Sequence, residues 1–343
     1  MSERRPIGRA AVTGGGGFLG RYLVEQLRAD GVEVTIFGRR DYPFARALDV
    51  RCVVGDLTQG DRLREAFRGA DTVFHVAAIA GIAGPWQEYF ATNTIGTRRV
   101  IEACRAEGVG RLVFTSSPSV TFDGRDQEGI DESVPYPKRF LCPYPHTKAL
   151  GEQEVLAANE PGGLLTCALR PHLVWGPRDG HLLPRLVQRS RTGALRRVGN
   201  GRNLVDTIFV ENAADAHRWA AERLVDGSPV GGKPYFLSQG EPVNCWEWID
   251  RLLALAGEPP VRRRIGYRTA WIAGSILERA YRLAGRTDEP RMTRFLAAQL
   301  ATSHYYAIDA ARRDFGFEPR VSTDEGLARY AAWLAEHPIV AEG

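Results

Sequence analysis

A doubly wound parallel α/β sheet with a smaller, mostly C-terminal domain is the fold class this sequence predicts. Three observations point to it. Short apolar runs alternate with helix-like segments through the first half of the chain. A glycine-rich turn, Thr13-Gly14-Gly15-Gly16-Gly17-Phe18-Leu19-Gly20, joins the first apolar run to the first helical one. At 343 residues the chain is long enough for one large core and a smaller appended unit.

The elements follow in order. Arg9-Ala10-Ala11-Val12 reads as a buried strand, and Phe18, Leu19, Tyr22, Leu23 and Leu27 recur at helical spacing behind the turn. Gly14, Gly17 and Gly20 therefore fall where a strand becomes a helix. A side chain there would block the turn, hold off a pyrophosphate or wedge the helix from the sheet, so the stretch reads as a dinucleotide site. Free amides at the helix start, from Phe18 and Leu19 onward, suit the phosphates. Val32 to Phe37 is the second strand, followed by Gly38-Arg39-Arg40. An acid there would hold the ribose of NAD, whereas Arg39 and Arg40 suit a 2′-phosphate, which favours NADP over NAD.

Val53 to Leu57 is expected as the third strand, with Asp56 and Leu57 near the adenine. Thr72 to Ala78 is expected as the fourth, its small Ala77 and Ala78 letting the cofactor pass close by. Gln87 to Glu107 reads as one long helix carrying Asn93 and Gly96. Arg111 to Thr115 is the fifth strand, running into Ser116-Ser117-Pro118-Ser119. Residues just past such strand ends face the ligand crevice, which makes Ser117 a positioned hydroxyl. Tyr144-Pro145-His146-Thr147-Lys148 opens the next helix, and a spacing of four puts Tyr144 and Lys148 on one face. A free tyrosine titrates near pH ~10, and a close ammonium is expected to lower that value. Tyr144 would then exchange a proton with a carbonyl oxygen held by Ser117, while His146 points elsewhere.

Composition bounds the rest. Hydrophobic content of 44% and charged content of 25% are those of an ordinary globular enzyme. A net charge of +4 gives no reason to expect nucleic acid as a partner. The cysteines, Cys52, Cys104, Cys142, Cys167 and Cys245, are scattered and form no CxxC pair, as expected of reduced thiols. No metal-ligand cluster is visible among the seven histidines. The charged start lacks the apolar core of a signal peptide, and no run nears the ~18 apolar residues of a membrane span. A cytoplasmic protein without a transmembrane segment is expected.

The chain resembles the extended short-chain dehydrogenase/reductases. The resemblance rests on Gly14/Gly17/Gly20, Asp56-Leu57, Asn93-Thr94-Ile95-Gly96-Thr97, Thr115-Ser116-Ser117, Tyr144/Lys148 and Leu169-Arg170-Pro171. Within them it is similar to the 3β-hydroxysteroid and sterol-4α-carboxylate dehydrogenase branch. Leu173-Val174-Trp175-Gly176-Pro177, His181 to Leu186, Asn203 to Thr207, Met292 to Leu296 and Ala311 to Gly316 draw it towards the bacterial 2-alkyl-3-oxoalkanoate reductases of olefin biosynthesis. The resemblance implies Ser117, Tyr144 and Lys148 as the catalytic set, with Lys148 also on the nicotinamide ribose. It adds Asn93, Thr115, Pro171 and Val174 to the cofactor shell. It also implies a homodimer through the helices at 87–107 and 144–158 and, by analogy, assembly with enzymes of the same pathway.

Residues 7–177, with 203–238 returning to them, are expected to bind NADP(H). Residues 178–202 and 239–343 are expected to bind substrate. Seven arginines face a single acid, Asp179, between 178 and 202. Singly each reads as a solvated face; together they suit a carboxylate. Arg178 stands where the family often has glycine, at the expected pocket mouth. The apolar stripe Ile272, Ala273, Ile276, Leu277, Ala280, Tyr281, Ala284 is expected to pack in the core, with a lid over an alkyl chain or a membrane-surface helix as the less favoured readings, and Trp246 and Trp248 are expected to pack in the small domain. The activity expected is NADPH-dependent reduction of a lipid-like 2-alkyl-3-oxoalkanoate. The alternatives are 3-dehydrogenation of a 3β-hydroxysteroid or sterol-4α-carboxylate, and a redox-sensing binding protein, which the joint presence of Tyr144 and Lys148 disfavours.

Overall fold

The computed structural model describes residues 4–339. The first half runs β1 (Arg9–Thr13), α1 (Phe18–Ala29), β2 (Glu33–Gly38), α2 (Pro43–Ala47), β3 (Arg51–Val54), α3 (Asp61–Phe67), β4 (Thr72–His75), α4 (Trp86–Tyr89), α5 (Gly96–Ala106), β5 (Arg111–Thr115), β6 (Gln127–Ile130), α6 (Pro143–Ala157) and β7 (Leu165–Pro171). It continues through β8 (Val174–Trp175), α7 (Leu182–Arg191), β9 (Arg197–Val198), β10 (Leu204–Val205), β11 (Ile208–Phe209), α8 (Val210–Arg223) and β12 (Pro234–Leu237). Last come β13 (Val243–Asn244), α9 (Cys245–Leu255), β14 (Arg264–Ile265), α10 (Tyr267–Leu283), α11 (Arg294–Ala301), β15 (His304–Tyr306), α12 (Asp309–Phe315) and α13 (Thr323–Glu336).

Among the described residues seven parallel strands form one sheet in the order β12-β7-β5-β4-β1-β2-β3. The order reverses between β1 and β4, and that reversal opens a ligand crevice at the carboxyl ends of these two strands. Helices cover both faces, so the central strands are buried on both sides and read as apolar runs. β7 is buried along its whole length, Arg170 included. On one face the sheet packs with α1 and α8, and on the other with α3 and α5. A second core gathers Trp175, α7, α9 and α13. Within 239–339 the chain serves both cores: Ile308, Ala311, Phe315 and Phe317 join the first, while Leu327, Tyr330 and Leu334 join the second. A four-stranded sheet, β13-β10-β15-β6, crosses the middle.

Three expected elements differ in extent, each for a local reason. The third strand ends at Val54, and Asp56 turns the chain by accepting from Thr58 N at 2.8 Å and Thr58 Oγ1 at 2.7 Å. The fourth ends at His75, because the Ala77 amide bonds the Thr13 side chain (3.3 Å) instead of a strand carbonyl. The helix expected at 87–107 contains a π-helical turn, Phe90–Ile95, between α4 and α5. Such turns recur at functional sites, and this one carries Asn93.

The stripe expected in the core from Ile272 to Ala284 is not there. On α10 only Ala270 and Gly274 are buried. A Cβ at Gly274 would lie 2.6 Å from the Thr293 carbonyl carbon, so α10 meets the start of α11 closely there and turns much of its stripe outward.

Candidate active site

β1 and β4 deliver the glycine turn and the loop opposite it to the crevice. Gly14 has φ +70°, and a Cβ on it would stand 2.8 Å from the backbone of Ala77. Glycine is therefore required twice over, for conformation and for approach. At Gly20 a Cβ would meet the Gly14 carbonyl oxygen at 2.2 Å, so this glycine sets how tightly α1 folds onto its own turn. Gly17 precedes α1 without a side-chain cap, and the first turn holds no acid. The amides of Phe18 and Leu19 are thus left without intrahelical partners, in a field that favours anions. This cradle fits the pyrophosphate of a dinucleotide.

Arg39 and Arg40 follow β2, both exposed. Asp56 lies near Arg39; its bonds to Thr58 hold its carboxyl below the usual range, with Arg39 and Arg99 adding to the effect. Leu57 is buried where Gly96 lets α5 approach; a Cβ at Gly96 would meet the Leu57 Cβ at 2.9 Å. Tyr42 is a member of this region that sequence reasoning missed. Its ring lies so close over the turn that a Cβ on Gly16 would stand 2.1 Å from it, and one on Gly38 would stand 2.8 Å from its hydroxyl. An aromatic residue past an Arg pair gave no signal by itself. Ala78 is exposed in the β4 loop, and Pro171 closes β7. Val174 pairs with Ile208 on the short β8–β11 ladder.

Ser117, Tyr144 and Lys148 are brought together at the ends of β5 and α6. Ser117 Oγ lies within hydrogen-bonding reach of the Tyr144 hydroxyl. It also sits 2.9 Å from Ser119 Oγ and accepts from Ser119 N at 3.3 Å, which makes Ser119 a second unanticipated neighbour. Burial pushes the Tyr144 hydroxyl above its ordinary value; the bond from Ser117 works against this, and Cys142 adds to it. This corrects the expectation that a nearby ammonium lowers it. Lys148 Nζ instead donates to the Thr115 carbonyl at 2.6 Å and lies 3.9 Å from the centre of the Phe114 ring. Lys148 is 1% exposed, and burial brings its ammonium down to about 7, with Glu152 opposing. His146 stacks on Phe140 (4.6 Å) and against Trp86 (4.7 Å), away from the pair.

A buried hydrogen-bond chain ties the glycine turn to α6. The Ala77 amide donates to Thr13 Oγ1, which faces His75 Nδ1 at 2.7 Å; His75 Nε2 faces Thr97 Oγ1 at 3.0 Å, and Thr97 donates to the Asn93 carbonyl at 2.7 Å. Thr97 has spent its proton, so His75 Nε2 carries the ring hydrogen and Nδ1 accepts from Thr13. Burial keeps the ring neutral by lowering it to about 3. Asn93 then spans Ile79, whose amide it accepts from (2.9 Å), and Thr147, to which it donates (3.2 Å). A Cβ at Gly151 would come within 2.5 Å of the Asn93 carbonyl oxygen, so α6 seats directly on the π-helical turn. On the other side His217 Nδ1–H donates to the Ala213 carbonyl (2.7 Å), so Nε2 accepts from Thr115 Oγ1 (2.8 Å). Thr115 is thus fixed at its hydroxyl and its carbonyl receives Lys148.

One turn beyond Lys148, Glu152 is 0% exposed and pairs with Arg170, 2% exposed, through Nε–Oε2 at 3.0 Å and Nη2–Oε1 at 2.5 Å. Tyr136 O–H adds a bond of 2.6 Å to Oε1. The Arg170 guanidinium lies 5.0 Å from the Phe236 ring centre.

An apolar cavity of about 340 Å³ lies among α7, α9 and α11. Ile82 and Leu173 reach it from the loops after β4 and β7, and Leu186, Ile249, Leu252 and Phe295 line it from α7, α9 and α11. Trp248 also lines it, whereas Trp246 packs in the second core. Ile82 packs with Phe122 and Phe295 next to Leu141 and Cys142, which lead into Tyr144.

The arginines expected to offer a carboxylate site are largely paired within the protein. Arg191 pairs with Glu258 at 2.6 Å and Arg197 with Asp250 at 2.5 Å. Arg178 does not reach the cavity lining. It takes the left-handed φ of +70° that suits glycine, and its guanidinium grips Glu25 at 2.6 and 2.8 Å over the Tyr22 ring. Arg185 and Arg189 do line the cavity, sharing the single carboxylate of Glu289.

Comparison with known proteins bears on this geometry. The model of the 3-beta hydroxysteroid dehydrogenase/isomerase family matches residues 11–263. A 2-alkyl-3-oxoalkanoate reductase of Shewanella oneidensis is 47% identical over 335 residues, covering 96% of this chain and 87% of its own. A sterol-4-alpha-carboxylate 3-dehydrogenase (decarboxylating) of Mus musculus is 36% identical over 326 residues, covering 94% of this chain and 89% of its own. Among solved structures, MoeE5 in complex with UDP-glucose and NAD superposes with a TM-score of 0.72 at 28% identity, covering 96% of this chain and 99% of its own. The chain belongs to the 3-beta hydroxysteroid dehydrogenase/isomerase family and is an NAD(P)-dependent oxidoreductase acting between hydroxyl and keto groups.

Proposed function

We propose that the chain reduces the 3-oxo group of a 2-alkyl-3-oxoalkanoate with NADPH. The observation that carries this reading is the apolar cavity that Ile82 and Phe295 share with the cluster containing Leu141 and Cys142, with Arg185 and Arg189 on its lining. Two guanidiniums sharing one carboxylate leave positive charge for an acid substrate, while the apolar wall accepts alkyl chain. The name of the Shewanella relative agrees with it.

A dinucleotide held on the glycine cradle supplies the hydride. The chain's own residues handle the proton. Tyr144 is kept as a neutral phenol by burial, the form that donates a proton to a keto oxygen. Ser117 holds that oxygen and stabilises its growing charge. Lys148 holds the nicotinamide ribose and, near neutrality at about 7, exchanges protons readily. Residues 7–177 with 203–238 hold the cofactor, and 178–202 with most of 239–343 shape the substrate end. The protein works in the cytoplasm, as a homodimer through α5 and α6.

If alkyl chain fills the cavity, each added methylene contributes ~0.8 kcal/mol, about fourfold in kcat/KM, until the cavity is full. Steady-state rates along a series of 2-alkyl-3-oxoalkanoates check this, and a series flat from its shortest member would contradict it. The cofactor reading has its own test. Substituting both Arg39→Ala and Arg40→Ala removes charge-assisted bonds to the 2′-phosphate worth ~1.5–3 kcal/mol, weakening NADPH ~10–100-fold. NADH affinity, measured by the same fluorescence titration, stays unchanged; equal losses for both cofactors would mean that these arginines do not read the phosphate.

A further inference from the structure

We propose that the outward face of α10 docks on an anionic lipid surface. Among the described residues six large apolar side chains stand substantially exposed, and four belong to this one helix: Trp271 (37%), Ile272 (56%), Ile276 (62%) and Leu283 (89%). Ile272, Ile276 and Leu283 share their face with Arg268 and Arg279, since positions 268, 272, 276, 279 and 283 recur at intervals of three and four. Apolar side chains concentrated on one exposed face mark an interaction site.

Charge decides what the face meets. Arg268, Arg279 and Arg282 are exposed and, among the described residues, have no ion-pair partner; the same holds for Arg262, Arg263 and Arg264 just before the helix. Arginines elsewhere in the chain are commonly paired with a carboxylate. The one acid on α10, Glu278, turns inward and binds Arg294 through its backbone amide and its Nε, both at 2.7 Å. The face is therefore apolar and basic without compensating acid. A second copy paired across a two-fold axis would set arginine against arginine. A bilayer with anionic headgroups accepts both features, apolar side chains entering the acyl boundary while long arginines reach the phosphates. No helix here is long and apolar enough to cross a membrane, so the contact is one of lying on the surface.

The position of the helix gives the contact a use. Tyr267, its first residue, packs with Phe122 and Phe295 beside Leu141 and Cys142, at the edge of the catalytic site. Docking through α10 would set that edge against the lipid from which an apolar substrate partitions. The proposal stands on α10 itself and not on the substrate reading, and its test contains no substrate.

The full chain is sedimented with phosphatidylcholine vesicles, with and without phosphatidylglycerol, at low and high salt. Binding is expected with phosphatidylglycerol, ~10-fold or more above phosphatidylcholine alone, and is expected to fall at high salt. Two double variants, Ile272→Gln with Ile276→Gln and Arg268→Gln with Arg279→Gln, are each expected to cut binding ~10-fold or more. Their circular dichroism and NADPH affinity verify that the fold is kept. No binding to phosphatidylglycerol vesicles would overturn the proposal, as would binding that both variants retain. A dimer lost in the isoleucine variant, with no vesicle binding by the wild type, would assign the face to a second copy instead.

Discussion

Tyr144→Phe lowers kcat for ketone reduction by ~100- to 10,000-fold, the range for losing a positioned general acid, while NADPH binds as before. The ring stays, so packing beside Cys142 and Leu141 is kept; only the hydroxyl within reach of Ser117 is lost. Ser117 and Ser119 do not replace it, since they are occupied with each other at 2.9 Å and a serine hydroxyl is not acidic enough to donate at neutral pH. Steady-state NADPH oxidation and a fluorescence titration of the cofactor separate the two effects. A variant that kept most of its turnover would mean that the proton comes from elsewhere.

Arg170→Met costs ~3–5 kcal/mol of stability, the usual penalty for stranding a buried charge. Its partner Glu152 has no access to solvent and would keep only the bond from Tyr136. The remedy is as informative as the damage. Replacing both members, Arg170→Met with Glu152→Leu, removes the stranded charge and is expected to recover most of the loss, as buried pairs exchanged for apolar residues often do. Urea denaturation followed by circular dichroism measures all three proteins. If the single variant lost less than about 1 kcal/mol, the pair would be far better solvated than its burial indicates.

Much of this site was legible because its signals are local. A glycine turn between a strand and a helix has one structural meaning, and Gly14, Gly17 and Gly20 sit as that meaning requires. Tyr144 and Lys148 declare a shared helix face by their spacing alone. The partners of the arginines were not legible, because pairing is decided across the fold: Arg178 finds Glu25 153 residues away, and Arg191 finds Glu258 67 residues away. The sequence showed seven cations and one nearby acid, and tertiary structure supplied carboxylates for five of the seven.

Two other misreadings share a cause. Apolar periodicity in α10 shows that a stripe exists, but it does not say whether another element covers it; Gly274 fixes the contact with α11 and leaves Ile272, Ile276 and Leu283 outside. For Tyr144 the residue types suggested that a neighbouring ammonium would dominate, and burial does instead, while Lys148 Nζ is directed at the Thr115 carbonyl. The π-helical turn at Asn93 left no trace in the pattern, since one widened turn barely shifts a helical period. The roles of His75 and His217 could not be read either, as each depends on threonines that arrive from other strands and helices.

The central claim is that the Ser117–Tyr144–Lys148 site reduces a flexible 3-oxo acid with NADPH. Its most direct test is the 340 nm absorbance of NADPH with a synthetic 2-alkyl-3-oxoalkanoate, beside oxidation of 3β-hydroxysteroids with NAD⁺ and NADP⁺ by the same enzyme. Rapid loss of NADPH on the keto acid, with little steroid oxidation, is the predicted result. Steroid oxidation without keto-acid reduction would contradict it and assign the cavity to a rigid sterol.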